Sequence, residues 1–133
     1  MNYMLDTNIC VSLIRQKQRG LIERLTSHDP DEVGVSIITV AELSYGAQKS
    51  AQPSQNLRAL EQFLLPLEVA DFDQSAADTY GLVRAHLETN GNPIGSMDML
   101  IGAHALSLGV VLVTNNIREF KRIPNLRVED WLA

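Results

Sequence analysis

The chain is 133 residues long, within the range of one domain, and 45% of it is hydrophobic, enough to bury a core. Its single cysteine, Cys10, excludes an intrachain disulfide and a cysteine-based metal site, as expected for a cytoplasmic protein in a reducing compartment. The net charge of −5 excludes nucleic-acid binding through overall charge, because phosphate affinity comes from Lys and Arg; any such role must rest on a local basic patch and a metal.

Tyr3 to Asp6 reads as a short buried strand at the start of the chain. Thr7 or Asn8 caps a helix running to about Gln16, since both side chains accept hydrogen bonds from N-terminal amides. Lys17 to Gly20 is a break, and Leu21 to Leu25 a second short helix ended by His28-Asp29-Pro30. Val33 to Ile38 is the second strand and Thr39 to Gln48 the helix after it. Pro53 opens another helix, with Leu57, Leu60, Phe63 and Leu64 at helical spacing, and Pro66 closes it. Leu67 to Phe72 has the look of an edge strand. Asp73 caps a long helix to Asn90, in which Ala76, Tyr80, Val83 and Leu87 form an amphipathic stripe.

Ser96 caps the helix that carries Asp98, and Gly109 ends it. Val110 to Val113 is a continuous apolar strand, Asn115 to Phe120 a loop or short helix, and Leu126 to Val128 a last strand before Trp131. Strands alternating with helices predict one domain over 1–133, a parallel α/β sandwich. Neither a signal peptide nor a membrane span is expected: no basic segment precedes a long apolar run, and no run nears the ~20 residues of a span.

Acidic residues from separate segments fall at the carboxyl ends of these strands, where the ligand crevice of an open parallel sheet lies. They are Asp6, Glu42, Asp98 and Glu119. Such carboxylates repel one another, and a hard cation such as Mg²⁺ or Mn²⁺ would hold them together. Each has a plainer reading. Asp6 is also a possible helix cap, although Thr7 and Asn8 offer capping groups of their own. Thr39-Val40-Ala41-Glu42 fits a capping box. Asp98 in a first turn favours the helix dipole, yet Met97, Met99, Leu100 and Ile101 around it suggest the buried edge of a pocket. Glu119 lies in a charged run with Arg118, Lys121 and Arg122 and reads most simply as surface. His28, His86 and His104 lack metal spacing, and His104 reads as a hydrogen-bonded helix residue. There is neither a nucleophile elbow nor a Gly-rich phosphate loop.

Met4-Leu5-Asp6-Thr7-Asn8, Ser36 to Leu43, Asp98 with Ile101 to Ala105, and Val113 to Asn116 with Glu119-Phe120 together resemble a PIN domain. Within that family the chain is most similar to the VapC toxins of bacterial toxin–antitoxin pairs, and Glu129-Asp130-Trp131 also recurs in part of that group. The likeness implies a three-layer sandwich around a central parallel sheet of about four or five strands. It implies a Mg²⁺- or Mn²⁺-dependent endoribonuclease, a VapB-like antitoxin that wraps it and blocks its site, and a homodimer. It also implies a tRNA or rRNA substrate, with the anticodon stem-loop of initiator tRNA associated with the subgroup. Asp6, Glu42 and Asp98 carry over directly. Where many members place a fourth aspartate this chain has Asn116, and Glu119 is the nearest acid.

The expected chemistry gives each residue a task. Asp6 and Asp98 bind the metal directly, and Glu42 binds it through water or orients the attacking water. Thr7, Asn8, Thr114 and Asn116 hydrogen-bond phosphate or metal waters. Arg118, Lys121 and Arg122 hold the RNA backbone, and Arg15, Lys17 and Arg19 flank another approach. Two other classes compete. A phosphoacceptor receiver domain would want paired acids after the first strand and a lysine after a late one, where this chain has Asp6 alone and Asn115. A non-catalytic binding module would not need acids at three strand ends. Leu13, Ile14, Leu21, Ile22, Leu25, Leu43, Leu57, Leu60 and Leu64 read for the most part as plain core, and could also line a groove for an antitoxin helix, whose Arg or Lys would enter the acidic pocket.

Overall fold

The computed structural model describes residues 1–132; Ala133, inside the expected domain, lies outside the described residues. A five-stranded sheet runs in the order β3-β2-β1-β4-β5, with every pair parallel. Its strands are β1 (Tyr3–Leu5), β2 (Val33–Ser36), β3 (Glu68–Ala70), β4 (Val111–Val113) and β5 (Val128–Glu129). The helices are α1 (Thr7–Ile14), α2 (Arg19–Thr26), α3 (Ile37–Lys49), α4 (Pro53–Leu64), α5 (Gln74–Thr89), α6 (Ser96–Leu108) and α7 (Ile117–Phe120), with one 3-10 turn at Pro30–Glu32.

Side chains alternate across a strand, so the sheet feeds two cores. Met4 and Leu112 point into one with Val83, Leu87, Ile101 and Phe120; Leu5 and Val113 point into the other with Ile9, Leu13, Val33, Val35 and Leu60. The result is the expected three-layer sandwich. Gly34 is required in β2, because a Cβ there would stand 2.6 Å from the Glu68 carbonyl oxygen of β3. Gly109 closes α6 in the left-handed region, at φ 67°, as its position in the sequence predicts.

Several boundaries differ from the sequence expectation, and caps explain most of them. Asp6 is the N-cap of α1, accepting from Thr7 N at 2.7 Å, so Thr7 and Asn8 lie inside the helix rather than capping it. Ser36 caps α3 by accepting from the Ile38 amide, which moves Ile37 and Ile38 from strand to helix. Gly95, not Ser96, is the N-cap of α6. Helix α2 begins at Arg19, inside the expected break, and β5 lies at Val128–Glu129, later than the expected Leu126 to Val128.

The strand order sets the position of the site. The chain runs outward from β1 through β2 to β3, then returns to the other side of β1 for β4 and β5. The direction reverses between β1 and β4, and the crevice of an open parallel sheet opens at that switch point, beyond the carboxyl ends of the strands.

Candidate active site

Asp6 leaves β1 and Thr114 leaves β4 at this switch point, and the Thr114 hydroxyl donates to Asp6 Oδ2 at 2.8 Å. The other oxygen of Asp6 takes the Thr7 amide, so both are directed while the side chain is buried. Thr7 then links the next acid, its hydroxyl donating to Glu42 Oε1 at 2.6 Å and lying 3.4 Å from Thr39 Oγ1. The capping-box reading of Glu42 therefore falls: Ser36 is the cap, and Glu42, in the second turn of α3, faces Thr7 across the cleft.

Glu119 is tied from two sides. The Gly95 amide donates to its Oε1 at 2.9 Å, and the Asn116 side-chain amide donates to its Oε2. Asn116, whose own backbone amide donates to Thr114 Oγ1, thus orients an acid where many relatives are expected to supply one. Gly95 marks where two carboxylates approach each other: a Cβ there would be in ordinary contact with both, 3.5 Å from Asp98 Oδ2 and 3.9 Å from Glu119 Oε1. Gly95 and Thr39 are contributors that the sequence reading missed; a glycine just before an acidic first turn was the available signal. Asn8 and Arg118 are not fully buried and make no side-chain hydrogen bond or ion pair among the described residues, so the structure does not join them to the cluster.

Three of the four acids are thereby held by neutral donors, and Asp98 alone accepts none among the described residues. No ion pair among those residues involves any of the four. The electrostatic cost is visible. Burial pushes the Asp98 carboxyl up to about 6, helped by the charges of Asp6, Glu119 and Glu42. Asp6 is also raised, mainly by burial, with Glu42 and Glu119 adding to it and the bonds from Thr114 and Thr7 opposing it.

This all-oxygen, negatively charged, unneutralised set suits a hard divalent cation. Among the described residues no three acidic, His or Cys groups stand close enough to cage an ion between them. Mg²⁺ is usually held by one or two carboxylates with the rest of its shell water and phosphate. Asp6 and Asp98 are the pair that would hold it.

Behind the acids lies a buried histidine. His104 of α6 is fully buried, its Nδ1 2.8 Å from Ser36 Oγ, with its ring edge-on to that of Phe72. Burial lowers its pKa; the nearby Asp71 backbone and the Asp73 and Asp71 carboxylates pull the other way. Its Nε2 is the one buried side-chain nitrogen or oxygen among the described residues without a partner meeting full hydrogen-bond geometry.

Residues 3–126 match the model of the PIN domain, and with the relatives below over nearly its whole length the chain belongs to the PIN-domain family, in its VapC group. It is 46% identical over 131 residues to the tRNA(fMet)-specific endonuclease VapC of Salmonella typhimurium, covering 98% of each chain. A chain in the crystal structure of DNA-bound VapBC from Salmonella typhimurium superposes with a TM-score of 0.94 at 46% identity, covering 98% of both chains. One in the promoter-DNA complex of VapBC2 from Rickettsia felis does so with a TM-score of 0.93 at 44% identity, covering 98% of this chain and 99% of that one.

Proposed function

We propose that the protein is the toxin of a VapBC-type pair: a Mg²⁺-dependent endoribonuclease, able to use Mn²⁺, that cuts structured RNA and so stops translation. The substrate is tRNA, and the initiator tRNA anticodon stem-loop is the first candidate, as the name of the Salmonella relative suggests. One observation carries the reading: carboxylates converge at the sheet's switch point with no cationic partner among the described residues, and Asp98 is raised to about 6.

When bound, Mg²⁺ supplies charge neutralisation at the phosphate and a lowered pKa for water. The chain's own residues do the rest. Asp6, aimed by Thr7 N and Thr114, and Asp98, free of other donors among the described residues, provide the ligand oxygens. Glu42, held by the Thr7 hydroxyl, orients the attacking water and accepts its proton. Asn116 and Gly95 fix Glu119 beside Asp98, where it completes the negative field. The new P–O bond forms as the bond to the 3′ oxygen breaks, and the departing oxygen takes a proton from solvent, leaving a 3′-hydroxyl and a 5′-phosphate. Arg118, Lys121 and Arg122, on and just after α7, are suited to hold the RNA backbone.

The partner is a VapB-like antitoxin. A groove of about 250 Å³ opens between α1, α3 and α4, lined by Val11, Ile14, Leu43, Ala47 and Leu60, with Thr7 and Glu42 on its wall. Of the residues that the sequence suggests for such a groove, Ile14, Leu43 and Leu60 line it; Leu57 does not, and Leu13, Leu21, Ile22, Leu25 and Leu64 pack into or against the core instead. An amphipathic antitoxin helix in this groove would bring an Arg or Lys to the acids.

The test is cleavage of purified initiator tRNA with Mg²⁺, with chelator, and by Asp6→Asn. Cleavage that survives chelator, or is equal in the variant, overturns the mechanism; cleavage of all tRNAs alike overturns the substrate.

A further inference from the structure

Helix α6 delivers Asp98, and α3 delivers Glu42. What fixes the two helices relative to each other is a question of direction as well as packing. The buried face of α6 includes Ile101, Gly102, Ala103 and Ala105, small or aliphatic groups that pack without directional bonds. Among the described residues, one side-chain hydrogen bond ties α6 to another element, between His104 Nδ1 and Ser36 Oγ. Ser36 is also the N-cap of α3, accepting from the Ile38 amide at 3.0 Å. One hydroxyl therefore serves the start of α3 and the middle of α6 together.

The offsets are equal. Asp98 lies six residues before His104 and Glu42 six after Ser36, about 9 Å of helix on each side. Over so short a rigid length, a slide of α6 at His104 is passed undiminished to Asp98. The ring's other nitrogen, Nε2, is buried without a partner meeting hydrogen-bond geometry, and the Asp71 backbone lies near the ring.

We infer that His104 is a positioning residue for the carboxylate site: its bond to Ser36 sets where α6 stands against the start of α3, and so the separation of Asp98 from Glu42. The inference rests on the metal-site reading above. His104 acts through Ser36 and the two helices, and touches neither metal nor substrate.

Three variants separate positioning from simple packing. His104→Asn places an amide near the Nδ1 position and keeps the bond to Ser36. His104→Gln places its amide near Nε2 and loses that bond. His104→Leu removes both polar atoms. Two readouts are taken on the purified full chain. In metal-free protein, hydrogen exchange should rise at Met99 and Leu100 and at Val40 to Leu43 in the Leu and Gln variants but not in Asn. In calorimetric titration with Mn²⁺ alone, affinity should fall ~10-fold or more in Leu and Gln and stay within about threefold of wild type in Asn, the scale expected when an outer-shell partner is lost.

If affinity and exchange follow the melting temperature across all three variants, whatever the amide's position, His104 only packs and the inference is wrong. It is equally wrong if the Gln and Leu variants exchange and bind as wild type does. If wild type binds no Mn²⁺, the metal reading fails, while the exchange pattern still decides whether His104 fixes the two helices.

Discussion

Asp98 is the acid without a hydrogen-bond donor, and replacing it by Asn separates the cost of the site from its use. Its carboxyl is raised from 3.8 to about 6. A shift of roughly 2 units corresponds to about 3 kcal/mol between the charged and neutral forms. Asp98 is only half-buried, so solvent screening reduces this to about 1.5 kcal/mol. The favourable effect of a negative charge in the first turn of α6, about 0.5 kcal/mol, is lost in the variant. The net expectation is that Asp98→Asn stabilises the metal-free protein by about 1 kcal/mol near neutral pH, or roughly 4 °C in Tm.

The sign has a pH signature. A carboxyl whose folded pKa is raised favours the protonated form, so its penalty is absent below the unfolded value of 3.8, grows between about pH 4 and 6, and is complete above 6. The variant's advantage should therefore be near zero at about pH 4 and full at about pH 7. Thermal unfolding in chelator across that range measures it. Added Mn²⁺ should raise the Tm of wild type and not that of the variant, which should also lose cleavage. A variant less stable than wild type near neutral pH, or a gain that does not change across the range, refutes the reasoning.

Asp6→Asn should also abolish cleavage without lowering stability in chelator, because Asn caps a helix as well as Asp does and the variant loses a buried charge that Glu42 and Glu119 oppose; full cleavage by the variant would remove Asp6 from the site. Glu42→Gln should lose most activity with a Tm change of no more than a few degrees, since Ser36 and not Glu42 caps α3; full activity would remove Glu42 from the site. Asn116→Asp places a carboxylate against Glu119 and should lower stability in chelator while tightening Mn²⁺ binding, whereas Glu119→Ala should reduce activity less than Asp6→Asn; calorimetry with Mn²⁺ checks the first and initial rates the second. Gly46 lines the groove and has nothing within 4 Å of a Cβ, so Gly46→Leu should leave cleavage intact, improve α3 slightly, and weaken antitoxin binding; unchanged affinity in a pull-down would place the antitoxin elsewhere.

Much of the fold is legible in the sequence because the signals are local. The stripe of α5, the Asp73 cap, the αL glycine at 109 and the apolar run before Thr114 each need only a few neighbouring residues. Boundaries fail where a choice of cap is not local. Ser36 and Thr39 are both good capping residues, and what favours Ser36 is its second bond to His104, 68 residues away. The same holds for Asp6: its capping role competes with those of Thr7 and Asn8 in sequence, and Thr114, 108 residues on, holds it in place.

The candidate site follows that pattern. Asp6 and Asp98 stand out because a charge in an apolar context is visible in one segment. Glu119 does not, because Arg118, Lys121 and Arg122 make it look like solvated surface. Its place beside Asp98 depends on Gly95, 24 residues earlier, and on Asn116, which by charge alone looks like a missing ligand. An asparagine there orients a longer acid from one turn away, so the negative charge that an aspartate would have contributed arrives by a different route. The difference has a physical consequence: Glu119 reaches the cleft already hydrogen-bonded on both oxygens, as Asp6 is, whereas Asp98 accepts none among the described residues and is the acid most open to a cation.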